Sequence, residues 1–429
     1  MAADAMKTNK WKIRAVFARV PVLGWLLGIL AAVMLEKFFG IEIASAVGLP
    51  KIPALFGIDI MLKKPLLIPN ATLNTTLVYA LPICVVAIAG ASIANRISGA
   101  LIRLPIFISA MVHLGLLYLS LYYWSDISDY RLLVLKLTLI AVMLTLSLNV
   151  INGYMGEFSC SHPGFMALGA YCASVVTVGL FVDPQMFGIQ LVSEKFGPLL
   201  FPLALLAGGG LAAAGALLVA VPSFRTRGDY LAIISLAFLF IVKSLIENFE
   251  FVKGPRGLSG QPDWAGLPTV FIWTVLCVWS INNFVTSTFG KALNAVRDNE
   301  LAAEAMTVNT RRTKMAGFLF AAFWAGIAGG LFAHVLRYVN PGTFGIQNLA
   351  EVLAMVYFGG LNSVYGSIVG AVSISVLGEA LRPLEIFKWI IIPLLLILVM
   401  VFRPTGVIAF KDFNVESLLS PRRGPGEGE

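Results

Sequence analysis

Residues Gly290 to Leu336 read GKALNAVRDNELAAEAMTVNTRRTKMAGFLFAAFWAGIAGGLFAHVL. The stretch through Lys314 is the only long, strongly charged run in the second half of the chain. From Met315 to Leu336 there is no Asp, Glu, Lys or Arg, and about 20 apolar residues suffice to cross a bilayer as α-helix. A polar connector running straight into an uncharged segment of spanning length predicts membrane helices joined by short polar loops.

Composition extends that reading to the whole chain. Of 429 residues, 58% are hydrophobic and 13% charged, with a mean hydropathy of +0.86, which excludes an ordinary soluble globule. The apolar runs lack the short alternating pattern of a membrane β-barrel. The fold class expected is all-α, a polytopic transmembrane helical bundle of roughly 10–12 membrane segments. The runs lie at Val20–Phe39, Thr75–Ala94 and Leu104–Tyr123, then at 132–151, 164–181, 199–221, 232–248, 269–287, 315–336, 349–359, 364–380 and 387–403. The first has no small-residue cleavage site after it and further spans follow, so it is read as an uncleaved span. The segments at 349–359 and 364–380 are short and joined by GGLNSVYG, a pattern of broken or re-entrant helices, which membranes tolerate only where backbone is buried in protein or lines a cavity.

Charge orients the bundle. Lys7, Lys10, Lys12, Arg14 and Arg19, then Arg96 and Arg103, Arg225 and Arg227, Lys291 to Lys314, and Arg403 with Lys411 all fall on one side if the segments alternate. The positive-inside rule makes that side, and both termini, cytoplasmic. The formal charge of +8 sits at span ends rather than in one stripe with interleaved aromatics, so it does not indicate a nucleic-acid partner. Cys84, Cys160, Cys172 and Cys277 show neither zinc spacing nor a disulfide framework and read as buried small hydrophobes.

Three regions are expected. Residues 1–130 read as an N-terminal accessory region with about three extra helices and a long outer loop, Ile41 to Asn74, carrying prolines and Lys51, Lys63 and Lys64. Residues 131–410 form the core, including a cytoplasmic loop at 288–314. Residues 411–429, ending in SPRRGPGEGE, read as a flexible cytoplasmic tail.

Within the core, Asn149 to Ala173 reads NVINGYMGEFSCSHPGFMALGAYCA. Gly153, Gly156, Ser159, Ser161, Pro163 and Gly164 interrupt helix, leaving backbone groups that must find partners other than lipid. One reading is a polar stretch of translocation path, with Asn149, Asn152, Ser159, Ser161 and His162 lining it. The other is a tight cytoplasmic turn followed by a Gly/Ala face for helix packing. His162, beside Pro163, has no second His or Cys at metal-ligand spacing.

The element FRTRGDYLAIISLAF, Phe224 to Phe238, reads as a positive-inside hairpin with Asp229 positioned to cap the next helix. The Leu258-Ser259-Gly260-Gln261 run is not taken as a nucleotide motif. No phosphate-binding G-x-x-x-x-G-K-[ST] occurs; at Gly290-Lys291, Val285 replaces the first glycine and Ala292 the hydroxyl. In the opening stretch, Leu293, Ala295, Val296, Leu301, Ala302, Ala303 and Ala305 favour helix. Arg297 and Glu304 interleave with the apolar residues, so its amphipathicity is poor.

Five ordered motifs, SHPGFMALGAY, RGDYLAIISLAF, KGPRG, FGKALNAVRDNELAAEAM and AGFLFAAFWAGIAGGLFA, resemble the LivM-type permease of branched-chain amino-acid ATP-binding-cassette (ABC) importers. The resemblance runs from Leu132 to Phe410 and excludes the first 130 residues or so. It implies a non-catalytic inner-membrane subunit, binding no cofactor itself, that pairs with a second homologous permease, two ATPase subunits carrying the ATP, and a periplasmic binding protein. The implied cargo is a branched-chain or related hydrophobic amino acid; close relatives carry urea or short amides. In such permeases a short cytoplasmic helix fits a groove on the ATPase. The residues assigned to that coupling are Arg297, Asp298, Asn299, Glu300, Ala302, Ala303 and Glu304, charges for the groove rim and alanines for close approach. Two motif positions depart from the family pattern. Thr307 stands where a glycine usually precedes the turn of the loop, and SCSH at 159–162 replaces the usual SLGH.

Two other classes make different demands. An ion-coupled carrier needs ionisable groups near span centres, and Glu247, Glu351 and Glu379 lie near predicted ends. A membrane enzyme needs convergent acid/base or metal-binding residues, and no Asp-rich motif or Ser/His/Asp set is evident.

Overall fold

The computed structural model describes residues 17–55, 57, 64–181, 196–225, 230–403, 405–410 and 413–422. The sequence readings of Lys7 to Arg14, Lys63, Arg227, Asp229, Lys411 and the last seven residues lie outside these. The chain forms two units, residues 1–135 with 414–429, and residues 136–413.

In the first unit, α1 (Val22–Ala46) follows Pro21 and packs on α2, which runs Ile68–Ala89 through a π-helical turn at Thr76–Ala80, and on α4 (Ile106–Ser125). Between α2 and α4 lies the polar helix α3 (Ala91–Ile102). The outer loop expected at 41–74 is therefore far shorter. Gly40 to Ala46 continue α1, and Pro69 occupies an early position of α2, where a missing N–H costs nothing, while Pro50 and Pro53 lie outside helix. Glu36, inside α1, is also an ionisable residue within a span that the positions of Glu247, Glu351 and Glu379 did not reveal. It pairs with Arg131, and both side chains are almost fully buried.

The tail differs from expectation too. Asn414 caps a short helix over Val415–Leu419, Ser98 donates to the Leu419 carbonyl at 2.6 Å, and the Arg422 amide donates to Asn95 Oδ1 at 2.9 Å. Residues 414–422 are thus ordered members of the first unit, because their polar groups find partners on α3.

The second unit begins within α5 (Asp129–Asn149), which continues as a π-helical turn over Val150–Met155. Then come α6 (His162–Phe181), α7 (Gly197–Ser223), α8 (Tyr230–Asn248) and α9 (Leu267–Thr286). Two short helices, α10 (Thr288–Asp298) and α11 (Glu300–Ala305), lead into α12 (Thr310–Leu336). The unit ends with α13 (Ile346–Gly359), α14 (Val364–Ala380) and α15 (Lys388–Phe402). A two-residue antiparallel ladder, β1 (Leu258–Ser259) with β2 (Tyr338–Val339), closes the end of α8, α9 and α12 opposite α10 and α11.

Among the described residues, nine helices are long and apolar enough to span a membrane. The last three of the twelve apolar runs form helices of 14, 17 and 15 residues, below the roughly 20 of a full crossing. The tightest packing joins α6, α7 and α12. Gly169, Gly208 and Gly326 meet there backbone to backbone, and a Cβ at any of them would press on a neighbouring carbonyl. Gly326 and Gly330 are spaced as G-x-x-x-G, the pattern that lets membrane helices approach closely where hydrophobicity cannot drive association.

Candidate functional site

The charged loop folds as two helices, not one. Asn299 ends α10 in extended conformation, and its side chain accepts from the Ala302 amide at 3.1 Å, capping α11. An Asn at this position satisfies one of the orphan donors at a helix start. The split corrects the expectation of poor amphipathicity. Taken alone, α10 places Gly290, Leu293 and Val296 on one buried face at helical spacing, with Leu293 against Gly317 of α12. α11 buries Ala303, 5% exposed, and presents Leu301 outward at 67% exposure, with Met306 just past its end at 77%.

The coupling residues named from the sequence therefore divide. Asp298 and Ala302 face outward. Ala303 is an internal packing residue rather than a point of close approach to a partner. Glu304 accepts a hydrogen bond from Thr310 at 3.1 Å. Arg297, read as a rim charge, turns inward. Its Nη1 donates to the Gly153 carbonyl at 3.2 Å, its guanidinium lies over the Phe410 ring, and its stem packs on Gly156. Glu300 pairs with Lys314 at 3.0 Å, and the same Lys314 Nζ reaches Glu157 at 2.8 Å. Neither Lys314 nor Glu157 stands out in the sequence, since each reads as an ordinary charge at a span end. Leu301 and Met306 were equally illegible, because their exposure depends on where α11 starts.

α11 ends in a Schellman turn. The Val308 amide donates to the Ala303 carbonyl and the Thr307 amide to Glu304, each within 3.1 Å. Thr307 occupies the left-handed position at φ +66°, normally a glycine's. That conformation costs a side-chain-bearing residue roughly 1–2 kcal/mol, and glycine's extra unfolded-state freedom offsets about 0.5–1 kcal/mol. Thr307→Gly is expected to stabilise the protein by up to about 1 kcal/mol, read as a higher thermal midpoint in detergent. A lower midpoint would count against this turn geometry.

The expected break after α5 is present, at the same end as α10 and α11. Gly156 takes φ +76°, and residues 157–161 form no helix or strand before His162 opens α6. Several of its polar groups pair within the chain, while Asn152 Nδ2 and both His162 ring nitrogens are buried without a hydrogen bond among the described residues. Asn152 Oδ1 accepts from the Ser159 amide at 3.3 Å, the Ser159 and Ser161 hydroxyls meet at 2.8 Å, and the Cys160 amide donates to Ser235 of α8 at 2.9 Å. His162 is buried with its ring edge-on to Phe165. Asn149 reaches across to the turn between α13 and α14. Its Nδ2 donates to Ser367 Oγ at 2.7 Å and the Ser363 carbonyl at 3.1 Å, while its Oδ1 accepts from the Asn362 amide at 3.2 Å. The turn's remaining backbone pairs with residues 405–410: the Ile408 amide donates to Gly359 at 2.8 Å and Val407 to Phe358 at 3.0 Å. This is how a non-helical turn between two short apolar helices meets the requirement that no backbone group face lipid unpaired.

Comparison with known proteins bears on the whole assembly. Residues 130–402 match the family model described as branched-chain amino acid transport system / permease component. Over 307 residues the chain is 31% identical to the high-affinity branched-chain amino acid transport system permease protein LivM of Escherichia coli (strain K12), covering 63% of this chain and 68% of that protein. The LivM protein of Salmonella typhimurium is 30% identical over the same shares. The xylose transport system permease protein XylH of Escherichia coli (strain K12) is 28% identical over 130 residues, 29% of this chain and 33% of that protein. No solved structure matches the chain.

Proposed function

Because the chain belongs to the branched-chain amino acid transport system permease family, we propose that it is the membrane-spanning subunit of an ATP-driven ABC importer, with α10 and α11 as the seat for an ATPase subunit. The exposed apolar pair Leu301 and Met306 carries this reading. Two large apolar side chains standing free on and just past a short polar loop helix mark a surface that another protein covers, while the buried edge of the same loop fixes it to α12. One such loop seats one ATPase. The full assembly then holds a second homologous permease, two ATPases that bind and hydrolyse ATP, and a periplasmic binding protein. The chain is a multi-pass inner-membrane protein, with both termini on the ATPase side. Alternating access follows if ATP binding moves the loop and the movement switches the cavity between the permeases from one face to the other. In this scheme Asn149, Asn152, Ser159, Ser161 and His162 form the hinge at the cytoplasmic end of the path.

The proposed cargo is a branched-chain or related hydrophobic amino acid. A xylose permease among the relatives speaks for a scaffold that serves more than one cargo. In this reading selectivity rests largely with the binding protein.

Substitution of both Leu301→Asp and Met306→Asp tests the docking surface. Neither residue supports the chain's own packing, so the variant is expected to reach the membrane at normal levels, lose the co-purifying ATPase and lose uptake. Full ATPase recovery and uptake in that variant would overturn the docking role. Ala303→Asp is less diagnostic, because it places a carboxylate at a buried position.

A further inference from the structure

Lys314 stands where three segments of the second unit converge. It lies early in α12, its ammonium is held at 2.8 Å by Glu157 in the non-helical segment before α6, and at 3.0 Å by Glu300, the first residue of α11. Glu157 directly follows Gly156, whose φ of +76° puts it in the left-handed region at the start of the break. Beside this junction, Arg297 joins the end of α10 to the Gly153 carbonyl in the π-helical turn. Cationic side chains thus connect both loop helices to both sides of the break.

The magnitudes separate a mechanical role from a structural one. The Lys314 side chain is 12% exposed, but Glu300 is about half exposed and Glu157 a quarter exposed, so removing the ammonium leaves carboxylates that water reaches, and pairs with such partners contribute little to folding. Removing the charge at Lys314 should therefore leave the fold intact. The geometry is nonetheless directional, since a shift of α11 alters the Glu300–Lys314 distance first, and Lys314 can follow only by changing its grip on Glu157.

We propose that Lys314 is a positioning residue that transmits displacement of α11 to the break between α5 and α6 through its simultaneous pairs with Glu300 and Glu157. The proposal rests on the reading of α10 and α11 as the ATPase seat. It assigns the Glu157–Lys314–Glu300 junction a part in coupling, separate from docking.

The test uses the complete importer reconstituted in liposomes, with ATP hydrolysis and amino-acid uptake measured on the same preparation. Lys314→Met keeps length and removes charge. It is expected to retain the ATPase subunit and its hydrolysis rate while uptake falls about tenfold, the size expected when a coupling element is cut, so that more ATP is spent per molecule imported. Lys314→Arg is expected to restore most of the uptake. Glu157→Gln should reproduce the uncoupling, and combining it with Lys314→Met should add little further loss, as befits residues acting as a unit. Unchanged uptake per ATP in both Lys314→Met and Glu157→Gln would overturn the proposal and leave the docking surface standing. Loss of the ATPase from Lys314→Met would also overturn it, by making Lys314 a docking contact. If Lys314→Met fails to reach the membrane, normal coupling in Glu157→Gln alone overturns it. Absence of any ATPase with the unmodified chain would instead remove the docking reading itself.

Discussion

Glu36→Ala is expected to destabilise the N-terminal unit by roughly 3–5 kcal/mol, the cost of leaving a buried charge without its counter-ion. Arg131 is 1% exposed and Glu36 2%. The guanidinium grips both carboxylate oxygens, Nη2 to Oε1 at 2.7 Å and Nη1 to Oε2 at 3.0 Å, and Nη2 also donates to the Pro53 carbonyl at 2.7 Å. The Tyr79 hydroxyl donates to the same carboxylate and receives the Trp124 indole N–H at 3.2 Å, while the guanidinium lies over the Trp124 ring. Alanine at position 36 removes the one carboxylate that the described residues bring to this cluster and leaves the buried arginine without it. Arg131→Ala should cost a similar amount by the reverse logic. The decisive comparison is the double replacement Glu36→Leu with Arg131→Met, which removes both charges at roughly constant volume. Substitutions of that kind at buried pairs are often neutral or stabilising, so the double variant should recover most of the loss in a detergent thermal melt. A single variant as stable as the parent would show that water or lipid headgroups reach the pair.

This network also marks a limit of sequence reading. Glu36 and Arg131 lie 95 positions apart, each near the edge of an apolar run, and nothing local tells which carboxylate meets which guanidinium. Properties set by composition and period were legible: a polytopic helical bundle, most of its spans, the break after Asn149 and the brevity of the segments flanking GGLNSVYG. Properties set by one residue's backbone choice were not. Asn299 could continue a helix or cap one. Because it caps, the loop becomes two helices with different faces, Ala303 turns inward and Leu301 and Met306 turn outward. The same holds for Pro69, which by sequence alone fits a loop or a helix start and stands near the start of α2. Arg297 shows the third kind of illegibility: its charge was evident, but its target is a backbone carbonyl freed by a π-helical turn, and a freed carbonyl has no sequence signature.

The second large effect is expected at the crossing of α6, α7 and α12, where the same substitution should have opposite signs at two glycines. A Cβ at Gly169 would press into the Gly326 carbonyl and its flanking backbone. Because those atoms belong to helix backbone, they yield only if α6 and α12 separate. Overpacking of a tight core costs about 1–3 kcal/mol, and separation would also loosen Gly208 against the Gly169 carbonyl and Gly330 against Ala173. Gly169→Ala is therefore expected to destabilise by at least that range, and Gly169→Val to yield no monodisperse protein. Gly210 lies on the opposite side of α7, with nothing within 4 Å of an added Cβ. There, alanine relieves the entropic cost of a helical glycine, and Gly210→Ala is expected to stabilise by about 0.5–1 kcal/mol. Thermal midpoints of the two alanine variants in one detergent decide the matter. If both shift in the same direction, helix propensity rather than contact governs these positions, and the close crossing that holds the loop-bearing helix α12 against α6 is wrong. Opposite shifts would tie the rigidity of the second unit to three small residues, and with it the fixed frame against which α10 and α11 can push.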